Sequence, residues 1–389
     1  MKKIGLCLLI LLLLGGCKIK EEKTRKEPKK INYDKYFSEK VIAKGSIYNA
    51  DKKKVSSAKG FNFNLVKEEG PYFKIKDTNY YLKYDEVEQK DFENETRSFE
   101  YLVTKKVKTI KNFKLYNSVK DKFLKLDKEE TFDVYIKDGD YYGVKFNDNL
   151  FYVKKEDVAS EEDVPVAKAT RIPVLNYHFF YDPKIKAEVR ERQTISIDIN
   201  LFDAHLAMIK NEGYFSLKAK EVDMWLDGKI ELPKKNLLLT VDDGQIFTDK
   251  YLKHYVDKHQ VHAVLFNITK YSDTNQYRSP YLEVQSHTHS LHVKQPENNI
   301  IRTPSNSSDE LLYSDIKQSI DIIGDNTAFA YPYYVKFPRL VKILKQLGFK
   351  NAYIGGGRYV RRGMDKYSLP RFEIYDGTSV ARIRNILNG

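Results

Sequence analysis

The sequence predicts an α/β barrel that follows two small all-β barrels, and three observations support this fold class. The C-terminal part, 171–389, alternates short apolar runs with helical patterns, which is typical of parallel strands joined by helices. The stretch before it has short aromatic and apolar runs broken by Asp, Asn and Gly, which is typical of antiparallel strands. That stretch also repeats itself with an offset of about 70 residues, which favours two small barrels in tandem over a solenoid.

The two copies of the repeat, 47–87 and 115–158, carry aromatic segments in the same order. The second copy ends on an aromatic strand, a short turn and the run Tyr-Val-Lys-Lys-Glu-Asp-Val at 152–158. This ending resembles bacterial SH3-like wall-binding modules, which implies either a module that grips wall polymer or peptide, or a spacer. The predicted boundaries are 35–95 and 96–160 for the two modules, 161–170 for an acidic linker and 171–389 for the barrel domain.

The N-terminus has the pattern of a secretory signal. Lys2 and Lys3 precede an apolar run, Ile4–Leu14, that is too short to span a bilayer, and Gly15-Gly16-Cys17 follows. This ending resembles a bacterial lipobox, which implies removal of residues 1–16 and lipidation of Cys17, although an incidental cysteine after an ordinary signal remains the alternative. Residues 17–34 are mostly charged and are expected to form a tether. We therefore expect the protein on the extracellular face of the cell membrane.

The cysteine count and the net charge indicate how the fold is stabilised and which partners it binds. Once Cys7 leaves with the signal, Cys17 has no second cysteine to pair with, so an internal disulfide is not expected and packed cores must stabilise the fold. The net charge of +13 favours an anionic wall polymer or a membrane surface as a partner, or simply a lysine-rich solvated surface. No nucleic-acid module is recognisable, so we expect no nucleic acid as a partner. We also expect the protein to be a monomer.

The barrel domain is expected to have its strands and helices in alternation, and at around 220 residues it is long enough for an α/β barrel. Strand candidates are Pro173–Tyr177, Asn236–Thr240, His262–Phe266, Tyr281–Gln285 and Ala328–Tyr331. Helix candidates include Asn200–Glu212 and Phe337–Leu347.

Two adjacent carboxylates follow a continuous apolar strand. Residues 237–244 read Leu-Leu-Leu-Thr-Val-Asp-Asp-Gly, so Asp242 and Asp243 lie where a parallel strand ends and loops open a site. Such a pair can divide roles, with one carboxylate on a metal and the other as a general base. An Asp-Asp-Gly after a strand is also common in turns and helix caps.

Three histidines, His287, His289 and His292, follow another short apolar strand. Neutral imidazole is the commonest side-chain ligand of zinc-like ions, and three so close together favour a metal site over a polar surface loop. The spacing of His287 and His292 does not stack on one helix face, so a strand end and a loop must bring the two rings together. His287 and His289 share a strand face and form a rival pair.

These two motifs, in this order, resemble the NodB-type polysaccharide deacetylases. The family's Thr-Phe-Asp-Asp-Gly reads Thr-Val-Asp-Asp-Gly at 240–244, and its His-(Ser/Thr)-x-x-His reads His-Thr-His-Ser-Leu-His at 287–292. The extra residue is similar to the branch that deacetylates poly-β-1,6-N-acetylglucosamine, and 172–178 and 369–372 resemble that branch's first strand and last motif. The resemblance covers 171–389 and implies a deformed (β/α) barrel of the NodB type.

The resemblance implies roles for individual residues. Asp243, His287 and His292 would hold a divalent metal, with zinc expected, and Asp242 would be the general base. Residues 328–333 resemble the family's Arg-Pro-Pro-Tyr-type motif, so the backbone N–H of Tyr333 would stabilise the oxyanion, unless this segment is only a buried strand with a proline stop.

Two departures from the family pattern matter. The motif arginine that pairs with the base is absent before Pro332, and Arg371 either replaces it or bridges surface carboxylates. No histidine follows His292, so the late catalytic histidine is absent too. His178 is the candidate for the general acid, and its alternative is a hydrogen-bonded structural histidine. His205, His254, His259 and His262 are expected to be structural. Trp225 is expected to pack in the core, with a place in a sugar cleft as its alternative.

The resemblance implies a hydrolase that acts on carbon–nitrogen bonds other than peptide bonds. Its expected reaction is metal-dependent removal of N-acetyl groups from an extracellular N-acetylglucosamine polymer. Poly-β-1,6-N-acetylglucosamine is the first substrate, peptidoglycan the second, and an O-acetyl polysaccharide ester the third. The alternative from another class is a non-catalytic or weakly active lipoprotein that binds the cell wall.

Overall fold

The structure is a computed structural model of the chain, and it describes residues 40–66, 70–89, 101–297 and 300–389. The predicted signal peptide, the lipidation site at Cys17 and the charged tether lie outside the described residues. Within the described ranges, none of the helices combines the length and the apolar character that a bilayer crossing requires.

Residues 40–89 contain an antiparallel sheet of seven short strands. The strands are β1 (Lys40–Ala43), β2 (Ser46–Tyr48), β3 (Lys54–Ser57), β4 (Asn62–Val66), β5 (Tyr72–Ile75), β6 (Tyr81–Lys83) and β7 (Val87–Gln89). Their order in the sheet is β3-β2-β6-β5-β4-β1-β7. In β4, Phe63 and Leu65 are buried while Asn62 and Asn64 are partly exposed, as the two-residue period of a half-buried strand requires.

A second antiparallel sheet of seven strands follows. Its strands are β8 (Lys105–Thr109), β9 (Lys114–Tyr116), β10 (Phe123–Lys125), β11 (Thr131–Asp138), β12 (Tyr141–Phe146), β13 (Asn149–Lys154) and β14 (Val158–Asp163). The order β10-β9-β13-β12-β11-β8-β14 reproduces the first sheet strand for strand. Even the register repeats, since Tyr48 lies opposite Tyr81 in one sheet and Tyr116 opposite Tyr152 in the other. The predicted internal repeat is therefore confirmed.

The two sheets share one apolar core. A single cluster of buried side chains extends from Val41 to Val153, and the rings of Phe61 and Phe151 stack across the boundary with centroids 5.8 Å apart. Polar contacts reinforce the boundary, because the Tyr80 hydroxyl donates to Asp127 Oδ1 at 3.2 Å. The two repeats therefore pack against each other as one body.

The acidic segment that the sequence assigns to a linker belongs partly to the second sheet, so the predicted start of the linker at residue 161 is wrong. Val158–Asp163 is strand β14 and pairs with β8. The ammonium of Lys105 on β8 lies 2.7 Å from Glu161 Oε2 and 3.0 Å from Asp163 Oδ1. Lysine side chains on the neighbouring strand compensate the negative charges of β14 and allow this acidic segment to form a strand. The pairing joins residues far apart in the chain, so the sequence of the segment alone does not predict it.

The C-terminal domain is a parallel barrel. Its main strands are β15 (Val174–Tyr177), β19 (Asn236–Asp243), β20 (Ala263–Asn267), β21 (Leu282–Ser286), β24 (Ala328–Ala330), β25 (Asn351–Tyr353) and β26 (Phe372–Glu373). The shorter strands are β16 (Phe179–Tyr181), β17 (Ser196–Asp198), β18 (Phe215–Ser216), β22 (Val293–Glu297) and β23 (Ile300–Arg302). The main order is β25-β24-β21-β20-β19-β15-β26, and a parallel bridge between Tyr353 and Leu369 brings the two ends together.

Seven helices accompany these strands in the described residues. They are α1 (Lys186–Glu191), α2 (Ile199–Asn211), α3 (Ala219–Leu226), α4 (Thr248–His259), α5 (Asp309–Ile323), α6 (Pro338–Gln346) and α7 (Val380–Asn388). The strands and helices predicted for this domain are present, with ends displaced by no more than a few residues. The deformed (β/α) barrel preceded by all-β sheets is thus confirmed as the fold class.

The barrel is apolar on both faces of its strands. Along β19, Leu237 and Leu239 pack with the surrounding helices, whereas Leu238 packs with Val264 and Phe266 in another buried cluster. All eight residues of β19 are buried, as expected for a parallel strand covered on both sides. Side chains that leave this apolar interior emerge at the strand ends, which is where the polar motifs of the sequence lie.

Candidate metal centre

The carboxylate pair ends strand β19. Asp243 has a left-handed backbone with φ 72°, and Gly244 follows with φ +71°, so the chain turns sharply at the end of the strand. A Cβ atom on Gly244 would lie 2.1 Å from Asn267 Oδ1, and therefore only glycine fits at this position. The turn leaves Asp242 and Asp243 pointing into the same end of the barrel.

The histidine loop is held by a carboxylate that the sequence interpretation missed. Asp315 of helix α5 accepts hydrogen bonds from the backbone N–H groups of His289 and Ser290, each at 2.8 Å. Thr288 takes a left-handed backbone with φ 76°, which turns the chain directly after the first histidine. Asp315 lies 23 residues beyond the last histidine, so no local pattern points to it.

The structure brings Asp243, His287 and His292 together. Ligand atoms of the three side chains all lie within 4.8 Å of one another. Asp243 Oδ1 is 3.3 Å from His287 Nε2 and 3.5 Å from His292 Nε2. His289, the rival candidate, is not part of this group, because its Nδ1 lies 2.9 Å from the Thr269 hydroxyl instead.

The chemistry of this group fits a divalent metal ion. Asp243 Oδ1 is buried and has no hydrogen-bond partner of normal geometry, although two imidazole nitrogens surround it. His287 Nδ1 lies 2.8 Å from the carbonyl oxygen of Ala330, and donation to that carbonyl leaves the Nε2 lone pair directed toward Asp243. Two imidazoles and one carboxylate leave coordination positions open for other oxygen ligands.

The electrostatics of His292 and Asp243 agree with that role. Burial, followed by the charge of His287, lowers the pKa of His292 to about 4, so this imidazole is neutral at physiological pH. Burial opposes ionisation of Asp243, but the hydrogen bond and the charges of the neighbouring histidines hold its pKa below the usual range. A neutral imidazole and an ionised carboxylate are the forms that bind metals.

Arg371 is buried in the site and pairs with Asp242. Its two terminal nitrogens lie 2.7 Å from Asp242 Oδ1 and 2.7 Å from Asp242 Oδ2, a bidentate contact between side chains that are both excluded from solvent. Burial opposes ionisation of Asp242, but the guanidinium charge prevails and holds the pKa of Asp242 far below its usual range. Of the two roles open to Arg371 in the sequence, this geometry is that of a partner to the candidate base.

Asn176 and Thr240 complete this buried network, and the sequence interpretation gave neither a role. Asn176 Oδ1 accepts from Arg371 at 2.9 Å and from the Thr240 hydroxyl at 3.0 Å. Its Nδ2 lies 3.3 Å from Asp242 Oδ2. Both residues lie inside the motifs quoted from the sequence. Asn176 is two positions before His178, and Thr240 is two positions before Asp242. The alternation of inward-facing positions was the available signal.

His178 lies beside the carboxylate pair, at the end of β15. Its Nε2 is 3.9 Å from Asp242 Oδ2 and 3.5 Å from the Tyr334 hydroxyl, while its buried Nδ1 has no hydrogen-bond partner. The Tyr334 hydroxyl also accepts a hydrogen bond from Asn176 at 3.0 Å, so this tyrosine links the histidine to the network. Burial lowers the pKa of His178 despite the two carboxylates nearby. Tyr334 is a further residue that the sequence did not single out.

Tyr333 lies beside His292, one of the candidate metal ligands. Its ring centroid lies 4.3 Å from that of His292, and its backbone is left-handed, with φ 56°. Tyr334 also has a positive φ, 61°, so two consecutive strained residues shape this turn. The turn follows β24, and it places Tyr333 beside His292.

The histidines outside the motifs occupy other environments. His205 is buried between the Tyr177 hydroxyl, 3.0 Å away, and the Thr378 carbonyl, 2.8 Å away. His259 contacts Asp203 at 2.6 Å, and Trp225 is fully buried. None of these residues belongs to the three-residue group found in the described chain.

Comparison with known families connects this geometry to a reaction class. The family model described as "Polysaccharide deacetylase" matches residues 229–352. That segment contains Asp242, Asp243, the two clustered histidines His287 and His292, and Tyr333. His178 and Arg371 lie outside it.

The chain is also similar to a curated protein and to solved structures. The "Putative polysaccharide deacetylase YxkH" of Bacillus subtilis (strain 168) is 29% identical over 119 residues, which cover 30% of this chain and 38% of that protein. The solved deacetylase PplD of Streptococcus pyogenes, in complex with acetate, is 23% identical with a TM-score of 0.48 and covers 57% of this chain and 100% of its own. IcaB of Ammonifex degensii is 20% identical with a TM-score of 0.47, and the match covers 57% of this chain and 99% of its own. Residues 229–352 are therefore similar to polysaccharide deacetylases.

Proposed function

We propose that this protein is a metal-dependent de-N-acetylase of a polysaccharide that contains N-acetylglucosamine. The observation that carries the proposal is the group formed by Asp243, His287 and His292 beside the Asp242–Arg371 pair at the carboxyl ends of the barrel strands. A metal triad alone would fit many hydrolases. The match of residues 229–352 to polysaccharide deacetylases supports this particular reaction.

The proposed chemistry divides among a few side chains. A divalent metal, with zinc expected, would polarise the acetamide carbonyl and acidify the attacking water. Asp242 accepts the proton of that water, and the backbone N–H of Tyr333 donates to the oxygen that becomes negative. A carbon–oxygen bond forms, the carbon–nitrogen bond breaks, and acetate leaves.

The departing amine needs a proton, and His178 is the proposed donor. Burial keeps this imidazole largely neutral in the free protein, so the proton that it delivers has to arrive during the reaction. Asp242 Oδ2, 3.9 Å from His178 Nε2, is its source in this proposal, because Asp242 has just accepted a proton from water. The strong pairing of Asp242 with Arg371 favours rapid release of that proton.

The finer substrate assignment rests on the histidine spacing. The extra residue in 287–292 supports poly-β-1,6-N-acetylglucosamine as the first substrate, and the repeated β modules support peptidoglycan as the second. An O-acetyl ester would undergo the same chemistry. The different class of function, a non-catalytic wall-binding lipoprotein, predicts metal binding without acetate release.

The test is acetate release from the full chain, reconstituted with zinc and given each polymer in turn. Asp242→Asn keeps the shape of the side chain but removes the base, and it is expected to lower the rate by about 10²–10⁴-fold, with metal content unchanged. Acetate would be measured enzymatically at equal protein and metal. If the zinc-loaded wild type releases no acetate from any polymer or ester, the proposal fails and the binding function takes its place.

We also propose that Cys17 anchors the protein to the outer face of the membrane. The run Gly15-Gly16-Cys17 after a short apolar segment supports this location, and more than one acyl chain gives stable anchoring. Cys17→Ser is expected to shift the protein from the membrane fraction to the medium or to stop its processing, as seen by fractionation and immunoblot. An unchanged membrane fraction for this variant would contradict the anchor.

A further inference from the structure

A cavity of about 560 Å³ lies between the second sheet and the barrel, and the proposed reaction does not use it. The second sheet contributes Asp138, Leu150 and Tyr152, while the barrel contributes Glu283 and Thr327. Its volume is in the range of ligand pockets, roughly 300–1,000 Å³, and domain boundaries are a common place for them.

The cavity is at the end of the barrel opposite the metal centre. Glu283 is the second residue of β21, whereas His287 follows the last residue of that strand. Thr327 directly precedes β24, and Tyr333 lies beyond its other end. Residues at the amino ends of parallel strands therefore line the cavity, and residues at the carboxyl ends form the candidate metal centre.

Glu283 is an unusual group in the wall of this cavity. Its Oε2 accepts one hydrogen bond, from the backbone N–H of Ala219 at 3.0 Å. No lysine or arginine of the described chain makes an ion pair with it at 4 Å or less, although Lys218 lowers its pKa through space. Burial, reinforced by the nearby Glu221 and Asp325, raises the pKa of Glu283 to about 7. A carboxyl group in this situation gains stability when a positive group binds beside it.

The opposite side of the same cavity shows how an ammonium is accommodated. Asp138 lies 3.0 Å from the ammonium of Lys229, which comes from the barrel, and it also binds Lys120 of its own module. The Lys120 ammonium lies 4.5 Å from the ring centroid of Tyr152, in the geometry of a cation–π contact. A carboxylate and a tyrosine face thus hold an ammonium here, and the Glu283 side offers a carboxyl group without such a partner.

The composition of the cavity selects among cationic ligands. A metal ion does not fit, since the single group of three or more metal-ligating side chains in the described residues is the one at the other end of the barrel. Lys218 and Lys220 in the wall oppose more than one positive charge inside the cavity, so a single ammonium-bearing unit of a ligand enters it. The partly exposed Tyr101 offers aromatic surface, and Thr327 offers a hydroxyl group. A ring that carries hydroxyl groups and one ammonium matches this combination.

We propose that the cavity is a non-catalytic binding site for an amine-bearing sugar unit, with Glu283 as the partner of the ammonium and Tyr101 against the sugar ring. This inference rests on the proposed function, because de-N-acetylation produces glucosamine units. A site for the product on the far end of the barrel would hold the protein on polymer that has already been processed.

The test uses the full chain and a defined probe, a glucosamine tetramer, with the N-acetylglucosamine tetramer as its uncharged counterpart. His287→Ala serves as the background in both titrations, so that the metal centre does not contribute to the heat of binding. Glu283→Gln preserves an acceptor for the Ala219 N–H and removes the charge. It is expected to weaken binding of the glucosamine tetramer by about tenfold or more, because a hydrogen bond to a charged group is lost.

Two further variants keep the result interpretable. Glu130→Gln makes the same chemical change at another partly buried glutamate, whose pKa is also raised by burial and which lines a different cavity, and it should bind as the parent does. Met224→Trp places a larger side chain in the wall of the proposed site and should abolish binding without altering its charges. Circular dichroism would establish that each variant is folded.

The outcomes separate this inference from the proposed reaction. Glu283→Gln in the otherwise unaltered chain is expected to release acetate at the wild-type turnover rate. Equal affinity of the parent and Glu283→Gln for the glucosamine tetramer, or tighter binding of the acetylated tetramer, would overturn the proposed site. If the wild type releases no acetate, the proposed de-N-acetylation is overturned instead, whatever the cavity binds.

Discussion

Replacing His287 by alanine is expected to abolish stoichiometric metal binding and to reduce acetate release by roughly a thousandfold or more, since a metal contributes several kcal/mol to the transition state. His287 is fully enclosed, its Nδ1 is engaged with the Ala330 carbonyl, and its Nε2 lies 3.3 Å from Asp243 Oδ1. Apart from His292, which is already a member, no imidazole of the described chain belongs to this group, so none is placed to replace His287. Metal content by mass spectrometry and acetate release would be measured on the same preparations.

His289→Ala is the matched control for this prediction. It removes a histidine two positions away from the same loop, but that side chain contacts Thr269 and its backbone N–H is held by Asp315. The variant is expected to bind one metal ion and to keep most of its activity. Loss of metal from His289→Ala together with retention in His292→Ala would show that the rival pair of His287 and His289 holds the ion, and not the pair of His287 and His292.

Arg371→Gln is expected to destabilise the protein by about 3–5 kcal/mol, because it leaves the Asp242 carboxylate buried without its counter-charge. The guanidinium makes two hydrogen bonds of 2.7 Å to Asp242 in an environment without solvent. Urea denaturation at neutral pH would measure the loss. The double variant Asp242→Asn/Arg371→Gln removes both charges and is expected to recover much of it, whereas additive losses would show that the pair is not coupled.

Arg371→Gln is also expected to change the pH dependence of activity. In the wild type, Arg371 holds the pKa of Asp242 low against the effect of burial, so the base stays ionised even in acid. Without the guanidinium, burial dominates and the pKa of Asp242 rises. The acid limb of kcat/KM is therefore expected to move to higher pH in Arg371→Gln. An acid limb at the wild-type position would mean that Asp242 is not the group that titrates, or that Arg371 does not control it.

The sequence by itself determined the architecture of the barrel domain and the position of its chemistry. Strand and helix periodicities are local properties, and the apolar runs are long enough to locate β19 and α2 within one to three residues. The placement of Asp242 and Asp243 at a strand end followed from the same pattern, because parallel strands deliver residues to the site at their carboxyl ends. The repeat was also readable, since both copies carry the same order of aromatic segments.

Contacts between distant segments were decided only by the tertiary structure. Which histidine joins His287 depends on Asp315, a residue of another helix that holds the loop so that His289 turns toward Thr269. The role of Arg371 depends on the closure of the barrel, which brings the segment before β26 against β15 and beneath Asp242. The acidic strand β14 and the cavity beside Glu283 depend likewise on neighbours far away in the chain. Periodicity and motif spacing report on neighbouring residues, whereas charge pairing, ligand selection and cavities are set by which segments the fold packs together.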